Sequence, residues 1–180
     1  MFQIKKSKID GCLEIFSRVQ KDNRGSFVKV FHKPAFQKLG IESEFEEEYY
    51  SQSFKNVIRG LHFQLPPKDH DKIIFCINGS VLDVVVDLRK ESPTYGKHHS
   101  FELNAKQANM IYIPKGMAHG FCSISESSTL VYKTSTVYDP KYDSGILWNS
   151  LDINWPTNNP IMSDRDKDFL DFSLFKSPFV

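Results

Sequence analysis

The sequence holds four side chains whose types suit proton transfer and charge stabilisation: His62, Lys72, His119 and Tyr132. Removal of a proton next to a ketone needs a base with a pKa near neutrality, and a positive group where the enolate oxygen gains charge. His62 can be that base, and Lys72 can stabilise the enolate. Inversion of the carbon also needs an acid on its opposite face, and Tyr132 is the candidate. The residues therefore predict an acid/base site that needs no metal and no other cofactor, because the ketone itself acidifies the proton.

Short strands separated by turn residues must position these side chains. Pro66-Pro67, Ser92-Pro93, Pro114 and Asp139-Pro140 supply turn chemistry between apolar, β-branched segments. Many short strands at this spacing favour a sandwich or a barrel. The predicted strands are 27–32, 48–53, 57–63, 73–77, 81–88, 98–103, 110–113, 119–125 and 129–136.

The clearest strand signal covers residues 73–88. Ile73–Ile77 is an apolar run, Asn78-Gly79 predicts a type I′ turn, and the segment 81–88 is rich in β-branched residues. Because side chains alternate along a strand, the second arm should present two different faces. One face holds Val84, Val86 and Leu88, and the other holds Asp83, Val85 and Asp87.

Helical signals are weak. Residues 34–39 can form one or two turns, and Ser163 can cap a short C-terminal helix within SDRDKDFLDF. No linker, repeat or low-complexity tract divides the chain. We therefore expect a single all-β domain over residues 1–180, with a short C-terminal helix.

Composition and charge limit the expected partners. The 180 residues carry a net charge of +1, which gives no electrostatic reason to expect nucleic acid or an anionic membrane. No apolar stretch is long enough to span a membrane. Cys12, Cys76 and Cys122 are widely spaced and form no CxxC pair, which argues against a zinc knuckle. We expect a cytoplasmic protein.

The segment Pro114–His119 has the PxGxxH pattern that is typical of cupins, the double-stranded β-helix form of the jelly roll. In metal-binding cupins this last His is a ligand, and a His-x-His motif followed by a Glu supplies the others. Here Gln64 replaces the second His, and Lys72 occupies the Glu position. An ammonium in place of an anionic ligand repels a divalent cation and favours a transient anion. The pattern predicts a cupin jelly roll with no metal site.

Longer motifs run in order through nearly the whole chain, from about residue 8 to about residue 170. They are Asp22-x-Arg24-Gly25-x-Phe27, RGLHFQ at 59–64, DVVVDL at 83–88, SPT at 92–94, IPKGMAHGF at 113–121, YKT at 132–134, GILWN at 145–149 and Trp155-Pro156. Together they resemble the dTDP-4-dehydrorhamnose 3,5-epimerase family. The resemblance implies epimerisation at C3, C5 or both of a nucleoside-diphosphate 4-keto-6-deoxy sugar, in the synthesis of surface polysaccharide.

The resemblance also implies roles for individual residues. His62 is the general base, oriented by Asp166, and Tyr132 is the general acid, while Lys72 lies by the C4 oxygen of the sugar. The implied substrate-binding residues are Arg24, Phe27, Arg59, Gln64, His119, Tyr138, Asp143 and Arg165.

Within that substrate-binding set the implied contacts differ. Arg24, Arg59 and His119 hold the pyrophosphate and the sugar, Tyr138 stacks on the nucleobase, and Arg165 supplies a positive charge. Family members are homodimers in which the N-terminal strand, here carrying Arg24 and Phe27, crosses into the partner's site. The implied partners are thus a nucleotide sugar and a second copy of the chain.

Four positions on the nucleotide side of the site depart from the family pattern. A Gln-x-Asn before the RGLH strand reads Glu47-Glu48-Tyr49, a Glu after Arg24 reads Lys29, and the Glu before GILWN reads Asp143. A GDP-linked or CDP-linked 4-keto sugar, including a heptose, is therefore an alternative substrate. The rival functions are a cupin 3,4-ketoisomerase, which moves the carbonyl, and a sugar-binding cupin without activity.

Several candidates also have plain structural explanations. His119 can pair with Asp83 across strands and support the site. Asp166 can be a solvated charge in the first turn of a helix. Arg59 can form a surface ion pair, and Tyr132 can be a core aromatic residue.

Overall fold

The chain folds into two antiparallel β-sheets that pack face to face, as seen in a computed structural model that describes residues 2–41 and 44–180. In these ranges the strands are β1 (Phe2–Lys6), β2 (Leu13–Ser17), β3 (Val19–Asp22), β4 (Gly25–Val28), β5 (Glu47–Phe54), β6 (Ile58–Gln64), β7 (Lys72–Asn78), β8 (Ser80–Asp87), β9 (His98–Asn104), β10 (Asn109–Ile113), β11 (Met117–Ser123), β12 (Ser127–Thr134) and β13 (Asp143–Gly145). The helices are α1 (Lys33–Gln37), α2 (Asp164–Lys167) and a 3₁₀ turn (Phe172–Leu174). Across the described ranges, every helix is too short to cross a bilayer.

The strand order explains how residues distant in sequence meet. The larger sheet has the order β1-β2-β10-β7-β12-β5, and the smaller has the order β13-β6-β11-β8-β9. From β5 to β13 the chain alternates between the two sheets, except at the β8–β9 hairpin. This is the jelly-roll arrangement predicted from the sequence. The hairpin β3–β4 stands apart from both sheets.

Apolar side chains fill the space between the sheets. Ile74 and Leu130 enter it from the larger sheet, and Val85 and Phe121 from the smaller one. Full burial of each such side chain contributes about 1.5–3 kcal/mol to folding. Val85 faces this core, whereas Val84 and Val86, also on β8, face a second cluster covered by the C-terminal segment. The predicted two faces of β8 are thus confirmed.

The Asn78-Gly79 dipeptide joins the two sheets, so the predicted type I′ turn was wrong. That turn needs a positive φ at both residues, and only Gly79 has one, at +73°. β7 and β8 pair with other strands and belong to different sheets. A Cβ on Gly79 would lie 2.2 Å from the carbonyl oxygen of Ser127, so close backbone approach is what requires glycine here.

The N-terminal region differs most from the sequence prediction. β1, β2 and β3 were not predicted, and the strand expected over 27–32 ends at Val28. β1 is an edge strand paired only with β2, and exposed lysines obscure its alternation. At the other terminus the predicted helix is present, because the Ser163 hydroxyl accepts the Asp166 N–H at 3.2 Å.

Candidate active site

A cavity of about 370 Å³ opens between the sheets at one end of the jelly roll. Most of the predicted site residues line it: Glu47, Tyr49, Arg59, His62, Gln64, Lys72, His119, Tyr132, Tyr138, Asp143 and Arg165.

Strand alternation delivers many of these side chains to the cavity. On β12, Leu130 lies in the inter-sheet core and Tyr132, two residues on, reaches the cavity wall. On β7, Ile74 is in the same core and Lys72, two residues earlier, lines the cavity. The apolar core and the polar cavity therefore lie next to each other in the space between the two sheets.

A β-bulge lets two residues of β6 that differ by three positions face the same side. Arg59 pairs with Phe121 and His62 pairs with His119, so the register shifts by one residue between the two pairs. A regular strand would turn Arg59 and His62 to opposite faces. Because of the bulge, both line the cavity.

Gly60 makes this bulge possible. Its φ is +133°, and a Cβ there would lie 2.5 Å from the Cα of Gly120 on the neighbouring strand. Only glycine combines that dihedral angle with that approach. The Gly60 N–H, freed from the ladder, donates to Asp166 Oδ2 at 3.0 Å. The local backbone thus holds a carboxylate behind the site.

His62 and Asp166 form a close pair, with 2.9 Å between Nε2 and Oδ1. Burial would raise the pKa of Asp166, but hydrogen bonds from His62, Gly60 and Arg165 outweigh it and hold the pKa far below its usual range. A carboxylate only accepts hydrogen bonds and a guanidinium only donates them. Since Arg165 Nε donates to Asp166 Oδ1 at 3.1 Å, we assign the hydrogen of neutral His62 to Nε2, where it also points to Asp166. Its Nδ1 then carries the lone pair that can take up a proton.

Burial lowers the pKa of His62, and Asp166 only partly offsets this. The imidazole is therefore neutral near pH 7, as a base must be. The guanidinium of Arg165 lies 2.8 Å from His62 Nε2 and 3.1 Å from Asp166 Oδ1. It adds positive charge beside the pair and bonds also to Asp143.

Lys72 brings a buried ammonium to the same cavity, with the residue only 7% exposed. Burial lowers its pKa to about 8, and the carboxylates of Asp143 and Asp83 limit the shift. Within the described residues its amine makes no direct hydrogen bond. A cation is therefore held where an anionic oxygen can be stabilised.

Tyr132 lies on the larger sheet, opposite the strand that carries His62. Burial raises the pKa of its hydroxyl, so the phenol keeps its proton. That hydroxyl lies 3.2 Å from the Ser51 hydroxyl, and the ring stacks on Tyr49 at 4.8 Å between centroids. Tyr132 is thus a packed aromatic residue whose protonated hydroxyl belongs to the lining of the cavity.

His119 pairs with Asp83, with 2.8 Å between Nε2 and Oδ2. The carboxylate is fully buried, and burial raises its pKa. The structural explanation considered for His119, a cross-strand pair with Asp83, is therefore present in the fold. His119 also lines the cavity, so it can support the site and contact a ligand.

Arg59 and Gln64 line the cavity but are also tied to the backbone around it. Arg59 Nε donates to the Ser53 hydroxyl at 3.0 Å, and Nη2 donates to the Gln52 carbonyl at 3.1 Å. Gln64 Nε2 donates to the Lys68 carbonyl at 2.9 Å, and Oε1 accepts the Asp139 N–H at 2.7 Å. Both side chains are preorganised.

The mouth of the cavity combines aromatic rings with carboxylates. Tyr138 is 55% exposed, and its hydroxyl donates to Asp143 Oδ2 at 3.4 Å. Its backbone N–H donates to Glu47 Oε2 at 2.6 Å. Burial raises the pKa of Tyr49 to about 12, and the negative charges of Glu47 and Asp143 add to this shift.

Arg24, Phe27 and Lys29 do not reach this cavity within one chain. Arg24 lies on the β3–β4 hairpin and pairs with Asp22 at 2.6 Å. Phe27 is 59% exposed, and with Lys29 it lines a separate groove. Their predicted contact with substrate depends on a second copy of the chain.

Sequence reasoning missed some cavity residues, of which Ser51 and His70 make the clearest contacts. His70 Nδ1 lies 3.1 Å from Gln64 Nε2, and burial lowers the pKa of His70 to about 3. Its position two residues before Lys72 was an available signal. In the described ranges, no three His, Cys, Asp or Glu side chains are grouped in a way that suits a metal ion.

Comparison with known proteins matches this geometry to one family. The sequence profile of dTDP-4-dehydrorhamnose 3,5-epimerase matches residues 6–173. The enzyme of that name from Shigella flexneri is 40% identical over 176 residues, which cover 94% of this chain and 97% of that protein. A dTDP-4-dehydrorhamnose 3-epimerase from Streptomyces niveus is 39% identical, over 90% of this chain and 80% of that protein.

Solved structures agree. The dTDP-6-deoxy-D-glucose-3,5-epimerase of Legionella pneumophila, solved with dTDP-4-keto-L-rhamnose, superposes with a TM-score of 0.94 and 31% identity. The match covers 98% of this chain and 95% of that one. The chain therefore belongs to the dTDP-4-dehydrorhamnose 3,5-epimerase family and is a cupin-fold epimerase of nucleotide sugars.

Proposed function

We propose that this protein inverts C3 and C5 of a nucleoside-diphosphate 4-keto-6-deoxy sugar for surface polysaccharide synthesis, with no cofactor. One observation carries the proposal: His62 and Tyr132 come from facing sheets and line one cavity, with the buried ammonium of Lys72 between the same walls. Facing sheets lie about 10 Å apart, which leaves room for one sugar ring between an acid and a base.

In the first step His62 removes the proton from the carbon next to the C4 ketone. The electrons of the C–H bond form a carbon–carbon double bond, and the carbonyl electrons move to the C4 oxygen. Lys72 stabilises that enolate oxygen, and Asp166 stabilises the imidazolium that forms. A positioned base typically contributes about 10²–10⁴-fold in rate.

In the second step Tyr132 donates its phenolic proton to the same carbon from the opposite face. The C4 ketone re-forms, and the configuration of the carbon is inverted. The high pKa of Tyr132 keeps the acid protonated until the enolate is present. The Ser51 hydroxyl, 3.2 Å away, can donate to the phenolate that remains. Solvent returns the proton to Tyr132 and takes one from His62.

Cationic side chains around the base and acid suit a diphosphate. Arg59 and Arg165 line the cavity beside Lys72, His119 adds an imidazole to the lining, and Tyr138 presents an exposed ring at the mouth. A nucleobase stacked on such a ring gains about 1–3 kcal/mol. We therefore assign the phosphates to the cationic wall and the base to Tyr138.

We further propose that the active form is a homodimer in which the β3–β4 hairpin completes the partner's cavity. Two observations support this. Phe27 is 59% exposed although it is a large apolar residue, and Arg24 bonds only within its own hairpin among the described residues. A hairpin exposed in this way suits insertion into a second copy of the chain.

Residues 1–180 act as one domain in this proposal, and the site of action is the cytoplasm. All three cysteines are free and buried, which fits a reducing compartment. Epimerisation at C3 alone is a second candidate outcome, because the Streptomyces niveus relative is a 3-epimerase at 39% identity.

Proton exchange with solvent tests the reaction. The enzyme is incubated with dTDP-, CDP- and GDP-linked 4-keto-6-deoxy sugars, and with a 4-keto heptose, in D₂O, and NMR follows deuterium at C3 and C5. We expect deuterium at both carbons while C4 stays a ketone. Deuterium at C3 alone identifies a 3-epimerase, and a 3-keto product identifies a ketoisomerase. If every substrate returns without deuterium, the proposal fails.

Tyr132→Phe separates the acid from the base. Because His62 and Lys72 remain, this variant should still exchange the proton of the reacting carbon. Without the phenolic hydroxyl it should not form the inverted product. An inverted product at the wild-type rate would show that Tyr132 is not the acid.

A further inference from the structure

The mouth of the cavity carries a carboxylate beside two aromatic rings. Glu47 lines the cavity, as do Tyr49 and Tyr138, whose exposed fractions are 43% and 55%. The ammonium of Lys72, a residue that is only 7% exposed, lies deeper in the same cavity. The cavity therefore has an acidic and aromatic mouth and a buried cation inside it.

Strand alternation fixes where Glu47 points. Glu47, Tyr49 and Ser51 occupy every second position of β5 and all three line the cavity. Glu48 lies between them on the opposite face, where it pairs with Lys133. Glu47 therefore faces the cavity, and Glu48 faces the opposite side of the strand.

The Glu47 carboxylate is held by one oxygen and open at the other. Oε2 accepts the Tyr138 N–H at 2.6 Å, which anchors the carboxylate next to the exposed ring. Among residues 2–41 and 44–180 no hydrogen bond to Oε1 is present. A flat base stacked on Tyr138 would therefore present its edge close to an oxygen that can only accept hydrogen bonds.

Nucleobases differ in what they offer to such an oxygen. Cytosine and guanine carry an exocyclic amine, and carboxylates accept hydrogen bonds from such groups. Thymine and uracil have one ring N–H flanked on both sides by carbonyl oxygens, which a carboxylate repels. A pairing of this kind discriminates between bases by about 1–3 kcal/mol, equivalent to roughly 5–150-fold in affinity.

We propose that Glu47 reads the edge of the substrate's base and selects a nucleotide sugar whose base carries an exocyclic amine. This inference rests on the proposed function, since it assumes a nucleoside diphosphate in the cavity. Glu47 is then a specificity-determining residue, and it takes no part in proton transfer. Cytosine and guanine share the required chemistry.

Matched nucleotides isolate the exocyclic amine. Calorimetry measures the affinity of the protein for CDP against UDP, and for GDP against IDP, with dTDP as a fifth ligand. Each pair differs in the exocyclic amine: uracil has a carbonyl in its place, and hypoxanthine lacks it. We expect at least one amine-bearing member to bind about tenfold or more tightly than its partner, and more tightly than dTDP. The pair that shows the preference identifies the base.

Two variants assign that preference to Glu47. Glu47→Gln keeps an oxygen for the Tyr138 N–H but adds an NH₂ donor, so the preference for the amine should fall to about twofold or less, with dTDP gaining affinity. Glu48→Gln, one residue away on the outer face, should keep the wild-type preference.

Three results overturn the inference. The first is wild-type protein that binds UDP and dTDP as tightly as CDP, and IDP as tightly as GDP. The second is a preference that Glu47→Gln leaves unchanged. The third is no binding of any nucleotide, which would remove the proposed function as well. In the first two results the diphosphate still binds, so only the reading of the base fails.

Discussion

Two His–Asp pairs lie side by side in this protein and have different environments. His62 on β6 and His119 on β11 are directly paired in register. Each ring contacts an aspartate through Nε2, at 2.9 Å to Asp166 and 2.8 Å to Asp83. By residue type and distance the two pairs are equivalent.

Solvent and additional hydrogen bonds distinguish them. The His62 side chain is 26% exposed, whereas that of His119 is 5% exposed. Asp166 also accepts from Gly60 and Arg165, and its pKa is lowered. Asp83 has Oδ1 buried with no hydrogen-bond partner among the described residues, and burial raises its pKa. Asp166 stays ionised and can therefore support a base. Within the described part of the chain Asp83 depends on one hydrogen-bond partner, His119, so this pair contributes to the stability of the fold.

The largest expected effect is on turnover when the accessible pair loses its base. His62→Asn should lower kcat by roughly 10²–10⁴-fold, because an amide cannot take up the proton that the imidazole accepts. The thermal midpoint should stay close to that of the wild type, since Asp166 keeps its bonds to Gly60 and Arg165. Steady-state kinetics and thermal unfolding measure the two effects. Turnover above about a tenth of wild type would show that His62 is not the base.

In the buried pair, loss of the histidine should affect the stability of the fold. His119→Leu leaves the Asp83 carboxylate buried without its partner and should lower the free energy of unfolding by about 3 kcal/mol. Urea titration measures this, with His62→Leu as the control that loses less.

Acidification should reduce the His119→Leu loss, because burial raises the pKa of Asp83 in the folded state. As the pH falls through that value the carboxyl becomes neutral, and its burial without a partner is less unfavourable. A stability loss that does not shrink as the pH is lowered below neutrality would contradict the charge-based explanation.

A smaller effect is expected when only the orienting carboxylate is neutralised. Asp166→Asn should lower kcat about 10–100-fold, because an amide stabilises the imidazolium less well. KM should change little, since Asp166 does not line the cavity. Asp164→Asn, on the same short helix but fully exposed, is the matched control and should retain activity. Equal losses in both variants would indicate damage to the helix.

The smallest effect is confined to alkaline pH and concerns Lys72, which acts on both pairs. The positive charge of Lys72 lowers the pKa of His62 in one pair and the pKa of Asp83 in the other. In the proposed reaction the enolate needs the protonated amine, so kcat/KM should fall as the pH rises through about 8. Lys72→Arg should move this limb upward, because a guanidinium does not titrate there. An unchanged limb would assign it to another group.

Sequence patterns predicted the elements that repeat a simple period. The alternation of β8 located both of its faces, and the PxGxxH and RGLH motifs located His119 and His62. Ser163 marked the start of α2. These signals are local, so the surrounding fold did not have to be known.

What the sequence did not reveal depends on packing between distant segments. Period-2 alternation puts Arg59 and His62 on opposite faces, and only the bulge beside Gly120 corrects this. The Asn78-Gly79 signal is local, but the sheet that each flanking strand joins is decided by other strands. Ser51 becomes relevant only because β5 lies beside β12.

The hydrogen bond between Gly60 and Asp166 spans 106 positions of the chain. On the ribosome, the segment that carries the imidazole is therefore made long before the carboxylate that orients it. The parallel bridges of Val57 with Ile161 and of Ile146 with Leu170 bring that late segment against the finished barrel. A nascent or clipped chain that stops before Ser163 lacks both the Asp166 carboxylate beside the imidazole and the Arg165 guanidinium that lines the cavity, so activity reports the arrival of the final segment.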